Sequence, residues 1–139
     1  MTVVFDTNVF VSAAASQIGS SRRCFGLLAR RKFLLAATRE ILHEYERAVE
    51  ELSRRPGKYH GMKWRPLFHW VHDKAAYFEP APVGKQRSRD VADDIFLACA
   101  LASGAKIIVS HDRDLLALEK PFGIEIMTPA VFVARVKTV

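Results

Sequence analysis

Short apolar runs alternate along this chain with longer segments of helical periodicity, and two of those runs end in an acid. Thr2 to Phe5 leads directly into Asp6, and Lys106 to Ser110 leads through His111 into Asp112. A bounded run of four or five apolar residues reads as a buried strand. Strands separated by helices need crossover connections, so they pair in parallel within a sheet covered on both faces. Ligands of such sheets gather beyond the carboxyl ends of the strands. The chain is therefore read as α/β with a mainly parallel central sheet, and its strand-end acids as candidates for chemistry.

The segments between the runs carry helix punctuation. Thr7 to Ala15 reads as a helix start, Gln17 to Ser21 as a polar loop whose serines can cap a helix near Arg22 to Arg31, and Phe33 to Ala37 as a second strand. Thr38 is a good N-cap, and Ile41, Leu42, Tyr45, Ala48, Val49 and Leu52 recur at helical spacing as far as Arg54. Pro56, Gly57 and Gly61 break that helix, a further helix is expected over Pro66 to Tyr77, and Glu79 to Arg89 reads as a basic loop. Asp90 to Ser103 is apolar nearly all round, which predicts a buried helix, with Gly104 at its C′ position. After Asp112 the pattern gives a short helix, a strand near Ile124 to Met127 and a last helix after Pro129.

At 139 residues the sequence fits one domain spanning 1–139, long enough to bury a core without disulfide or metal staples. The longest apolar stretches, Val9 to Ala15 and Ile95 to Ala102, are far shorter than the roughly 18 to 20 residues that cross a bilayer, so no membrane helix is expected. Met1 runs straight into the first apolar run without the basic and hydrophobic regions of a secretory leader. Cys24 and Cys99 both fall in apolar helical patterns, where free Cys behaves as a small buried hydrophobe, and a reducing cytoplasm is the expected location. Lys and Arg outnumber Asp and Glu by 21 to 15, and the net charge of +6 favours a polyanionic partner.

The acids are not spread evenly. Besides Asp6 and Asp112, Asp90 and Asp94 stand four apart on one helix face with Asp93 beside them, and Glu44 shares its helix face with Ile41 and Ala48. Carboxylates converging in a water-poor site repel and hold protons unless a cation neutralises them. Oxygen ligands without a Cys or His cluster favour Mg²⁺ or Mn²⁺ over zinc. Such ions, paired at about 3.5 to 4 Å, assist phosphodiester hydrolysis.

Four local blocks, in order, carry a family resemblance. They are Val3-Val4-Phe5-Asp6-Thr7-Asn8-Val9-Phe10, Glu40-Ile41-Leu42-His43-Glu44-Tyr45, Asp90-Val91-Ala92-Asp93-Asp94-Ile95-Phe96-Leu97, and Ile108-Val109-Ser110-His111-Asp112-Arg113-Asp114-Leu115. Together they resemble the PIN-domain family. The resemblance implies a three-layer α/β/α sandwich and a Mg²⁺- or Mn²⁺-dependent endoribonuclease, often the toxin of a toxin–antitoxin pair. It implies Asp6, Glu44, Asp94 and Asp112 as catalytic and metal-binding acids, with Asn8, Ser110, Asp114 and Asp90 in support. A one-turn shift decides which of Asp90, Asp93 and Asp94 faces the ion. It also implies RNA as substrate, a cognate antitoxin as partner and dimerisation as common among relatives. Ser110 and His111 depart from the pattern, which has Thr and a smaller residue there, so His111 is expected to narrow or tune the site. Ser53 to Pro82 carries no motif of the family.

Competing readings attach to the same residues. Asp6 and Asp112 are each placed to cap the helix that follows, and Asp112 and Asp114 to form a turn. The Arg22 to Lys32 and Arg54 to Arg65 basic clusters read as solvated surface, whereas Lys85, Arg87 and Arg89 lead directly into the Asp90 helix and are candidates for holding phosphates. Trp64, Phe68 and Trp70 have the spacing of core residues more than of base-stacking ones, and His111 reads as a solvent or substrate contact and not a metal ligand. The rival function is a catalytically silent scaffold of the same fold that binds RNA or protein. A haloacid-dehalogenase type of phosphatase also opens on a strand ending in Asp, but that chemistry wants a second Asp two residues on, where Asn8 stands.

Overall fold

The structure, a computed structural model, describes residues 1–82 and 94–137. Five strands form one sheet: β1 (Thr2–Phe5), β2 (Leu34–Ala37), β3 (Ala76–Tyr77), β4 (Ile107–Val109) and β5 (Glu125–Met127). Their order is β3-β2-β1-β4-β5 and every pairing is parallel, with Val3 opposite both Leu35 and Ile107. Among the described residues seven helices cover the sheet: α1 (Thr7–Ala15), α2 (Ser20–Ala29), α3 (Arg39–Arg54), α4 (Arg65–Lys74), α5 (described over Asp94–Ser103), α6 (Arg113–Leu116) and α7 (Pro129–Lys137). Helix α5 crosses β1, β2 and β4, while α1 packs on α2 and α3, and α2 on α7. The result is the three-layer α/β/α sandwich expected from the sequence.

The central strands are short and apolar because both of their faces are covered: Val3, Val4, Phe5, Ile108 and Val109 are buried with no accessible surface. Around Phe5 lies an aromatic cluster in which Phe25 and Phe132 meet it edge-on at 5.2 and 6.1 Å. Phe10 stacks on Tyr45 at 5.0 Å and 8°. Each such pair adds roughly 0.5–1.5 kcal/mol beyond area burial, and together they lock α1 and α3 against the end of β1. Trp64 and Phe68 are buried in the same core, as their spacing indicated. No described helix is long and apolar enough to cross a membrane.

Two boundaries differ most from the sequence reading. The expected helix over Pro66 to Tyr77 stops at Lys74, because Ala75 turns extended and Ala76–Tyr77 pair with Ala36–Ala37 at the sheet edge. Pairing with a neighbouring strand, invisible to local periodicity, outweighs helical propensity there. Helix α2 begins at Ser20, not Arg22, with Gly19 at φ +105° as its N-cap, so the serines lie inside the first turn instead of capping it. The sheet is wholly parallel among the described residues. Thr38 does cap α3, accepting from the Ile41 N–H at 3.1 Å, and Gly104 follows α5 at φ +75°, as the sequence indicated.

Candidate active site

Strand order reverses direction at β1: the chain moves from β1 outward to β2 and β3, then returns to place β4 on the other side. That switch point opens a crevice between two adjacent carboxyl ends, the place where ligands of open α/β sheets bind. Register puts Phe5 opposite Val109, so Asp6 and Ser110 are the first residues beyond each strand. The Asp6 N–H still donates to the Val109 carbonyl at 2.9 Å, and the Ser110 N–H to Met127 at 2.9 Å, which holds both residues against the sheet edge.

Asp6 is only 4 % exposed and receives three hydrogen bonds. Thr7 N–H donates to its Oδ1 at 2.7 Å, while the Asn8 amide and Ser110 hydroxyl donate to its Oδ2 at 3.2 and 2.5 Å. The donors' directions follow from their other bonds. Ser110 Oγ accepts the Asp112 N–H at 2.9 Å, which leaves its single proton for Asp6. Asn8 Oδ1 accepts the His111 N–H at 3.1 Å, which turns its NH₂ toward Asp6. Asn8 and Ser110 thus tie the loop after β1 to the loop after β4.

Burial raises the Asp6 pKa above its ordinary value, and the charge of Asp112 pushes the same way; the hydrogen bonds from Ser110, Thr7 and Asn8 oppose it. No ion pair to Asp6 exists among the described residues. Thr7 Oγ1, in the next residue, is buried and without a hydrogen-bond partner. A buried acid near a second acid, with neutral donors about it among the described residues, fits a hard cation better than a free anion.

The other expected residues are less tightly gathered. Asp112 caps α6, its Oδ1 accepting the Asp114 N–H at 2.8 Å, which is the capping role the sequence also allowed. Asp114 itself lies in the first turn of α6. Asp94 is buried at the start of the described part of α5. Because α5 ends where the chain turns into the amino end of β4, Asp94 lies toward the carboxyl edge. Glu44 sits in the second turn of α3, which starts from the carboxyl end of β2, and its carboxylate pairs with Arg47. Among the described residues no three acidic, His or Cys side chains form a group that could hold a metal ion. Of the acids named from the sequence, Asp112 is near enough for its charge to act on the Asp6 carboxyl. Lys85, Arg87, Arg89, Asp90 and Asp93 lie outside the described residues.

His111 turns to Ser21 in α2, Nε2 to Oγ at 3.0 Å, and partial burial lowers its pKa. Cys24 and Cys99 are buried, and burial pushes both thiols up to about 12, which fits their reading as small hydrophobes. One residue escaped the sequence reading. Tyr45, fully buried, donates its hydroxyl to the Phe5 carbonyl and so fastens α3 to the last residue before Asp6. Burial and the Asp6 charge both raise its pKa, keeping the phenol a donor. A Tyr within an otherwise aliphatic helix stripe was the available signal, since a buried O–H needs an acceptor.

The chain superimposes on the crystal structure of PAE2754 from Pyrobaculum aerophilum with a TM-score of 0.63 and 19% sequence identity, covering 100% of this chain and 91% of that one. No curated protein matches its sequence. The PIN domain family model matches residues 2–114, which takes in both β1 with Asp6 and β4 with Ser110, Asp112 and Asp114. The chain belongs to the PIN-domain family, whose members are generally nucleases and typically use divalent metals.

Proposed function

We propose that this protein is an endoribonuclease that hydrolyses RNA phosphodiester bonds with the help of Mg²⁺ or Mn²⁺. The observation that carries the reading is Asp6, a buried carboxylate at the β1–β4 switch point, held by neutral donors beside Asp112 and raised in pKa by burial. Asp6 and Asp112 would hold the ion, with Asp94 and Glu44 as the further acids toward the same edge. When bound, the ion supplies charge neutralisation at the phosphate and a more acidic water. The protein's own contribution is orientation. Ser110 and Asn8 fix the Asp6 carboxylate, the Asp112 N–H fixes Ser110, and Tyr45 fixes the strand end. The Ser110 hydroxyl is committed to Asp6 and the Asp112 N–H, so water is the attacking group in this reading.

The net charge of +6 favours a polyanion, and Lys85, Arg87 and Arg89 precede the Asp94 helix in sequence as candidate phosphate contacts. A toxin role, with a cognate antitoxin as partner, and a homodimeric state are further proposals that rest on family membership. Purified protein should cut single-stranded RNA with Mg²⁺ or Mn²⁺ and stop in EDTA. Equal cleavage in chelator would refute the metal requirement, and no cleavage with either ion would favour the silent binding scaffold.

A further inference from the structure

We propose that the groove between α3 and α4 is a nucleotide subsite, which takes the base of a nucleotide flanking the scissile phosphate in single-stranded RNA. The inference rests on the ribonuclease reading and gives that site a second point of contact. The groove has a volume of about 790 Å³, within the roughly 300–1,000 Å³ common to ligand pockets. Its floor is apolar, made by Leu42 and Phe68, both nearly fully buried. Exposed rings stand around that floor: His43 on α3, His69 and His72 on α4, and Tyr77 at the end of β3.

Three of these rings form a tilted series with Phe68. Phe68 lies 5.9 Å from His69 and 6.3 Å from His72, and His72 lies 5.8 Å from Tyr77. The Tyr77 hydroxyl donates to the His72 carbonyl at 2.6 Å, which sets the ring although it is 44 % exposed. An apolar floor with aromatic walls is what an unstacked base seeks, and base-on-ring stacking tolerates any sequence. Arg39, at the α3 end of the groove, offers a cation for phosphate, and Glu46 an acceptor for a base amine.

Position joins the groove to the crevice. Ala37 and Tyr77 are paired at the carboxyl ends of β2 and β3, so Arg39 and Tyr77 stand on the same sheet edge as Asp6. Two strand spacings separate β3 from β1, about 10 Å along that edge. Glu44 follows His43 directly, and Tyr45 then anchors the helix to Phe5. A single strand seated at Asp6 and Asp112 reaches the groove by running across the end of β2.

The test is anisotropy of a labelled single-stranded RNA decamer in EDTA, with cleavage of the same decamer followed in Mg²⁺. His69→Ala and Tyr77→Leu should each weaken binding by at least about fivefold, the low end of the loss of one stacked base. Tyr77→Phe, which keeps the ring but loses its tie to the His72 carbonyl, should lose less affinity than Tyr77→Leu. His69 is exposed, so its variant keeps the inference testable if Tyr77→Leu fails to fold. Unchanged affinity in His69→Ala and in folded Tyr77→Leu overturns the subsite, and EDTA-sensitive cleavage then leaves the ribonuclease reading standing; this is also the result for a groove built for a protein partner. A parent that cleaves nothing but loses RNA affinity in both variants overturns the ribonuclease and keeps the groove as an RNA site. A parent that neither binds nor cleaves overturns both.

Discussion

At the level of single residues, Asp6 is seen as a cap, and the same carboxylate remains placed for the proposed site. A strand-end Asp before a helix is either a cap or a site acid, and here the Oδ1 that accepts the Thr7 N–H belongs to the same carboxylate that faces Ser110 and Asp112. Capping holds the acid in place and leaves its Oδ2 toward Ser110, so it does not compete with the proposed role. Because the folded-state pKa of Asp6 is raised, folded protein binds more protons than unfolded protein between the ordinary value of 3.8 and the raised one. Parent stability therefore falls as pH rises through that window, and below 3.8 the group contributes nothing. Asp6→Asn cannot ionise and escapes that loss, although it rearranges three hydrogen bonds at about 1 kcal/mol each. Urea unfolding in chelator should show the variant gaining on the parent as pH rises from about 4, then levelling. Cleavage should be abolished throughout. Stability curves that run parallel across pH would show that ionising Asp6 costs the fold nothing.

Among the elements, the critical joint is between β1 and α3. Tyr45 reaches from the second turn of α3 to the Phe5 carbonyl, and Glu44 beside it depends on that anchor for its place at the edge. Tyr45→Phe retains the stack on Phe10 and loses one buried hydrogen bond, leaving the carbonyl unsatisfied. We expect a stability loss of about 1–3 kcal/mol, with a larger proportional fall in kcat than in RNA affinity. Thermal melts and steady-state cleavage check both; unchanged kcat at reduced stability would make Tyr45 a core residue only. The limits of the sequence reading lie in the same kind of joint. Strand β1, helix α1 and the Thr38 cap are written locally, in an apolar run, a strand-end acid and a capping threonine, and they are recovered to the residue. Strand β3 is not, because Ala76–Tyr77 become a strand only through pairing with β2. For the same reason the acids Asp6 and Asp112 are legible as candidates, being strand-end residues. The bond from Ser110 to Asp6 and the one that Asn8 accepts from the His111 N–H cross more than 100 positions and have no local pattern. Glu44 shows the converse: its helix and register are legible, but its pairing with Arg47 is a side-chain choice that spacing does not dictate.

At the scale of the whole molecule, the net charge is +6 while Asp6, at the carboxyl ends of β1 and β4, is only 4 % exposed, and on the proposed reading a small cation would let phosphate approach that acid. Divalent ion and fold are then thermodynamically linked, because an ion that binds only the folded chain stabilises it by RT ln(1 + [L]/Kd), about 2.7 kcal/mol at a hundredfold excess over Kd. For a domain of this size that is a rise in Tm of roughly 10 °C. The rise should shrink in Asp6→Asn and Asp112→Asn, the two acids whose charges oppose each other in the metal-free protein. Glu44→Gln discriminates further. The exposed Glu44–Arg47 contact is of a kind worth less than about 1 kcal/mol, so an ion at the edge can draw Glu44 from it. A reduced Mg²⁺ response in Glu44→Gln would make it a ligand, while a full response would leave it a surface acid with Arg47. Glu51→Gln, which breaks the similar pair with Arg55 farther along α3, should respond like the parent and serves as the control. Melting curves of all five proteins with Mg²⁺ and with EDTA decide the matter, and an equal shift in every variant would remove the carboxylate crevice as the place where the ion binds.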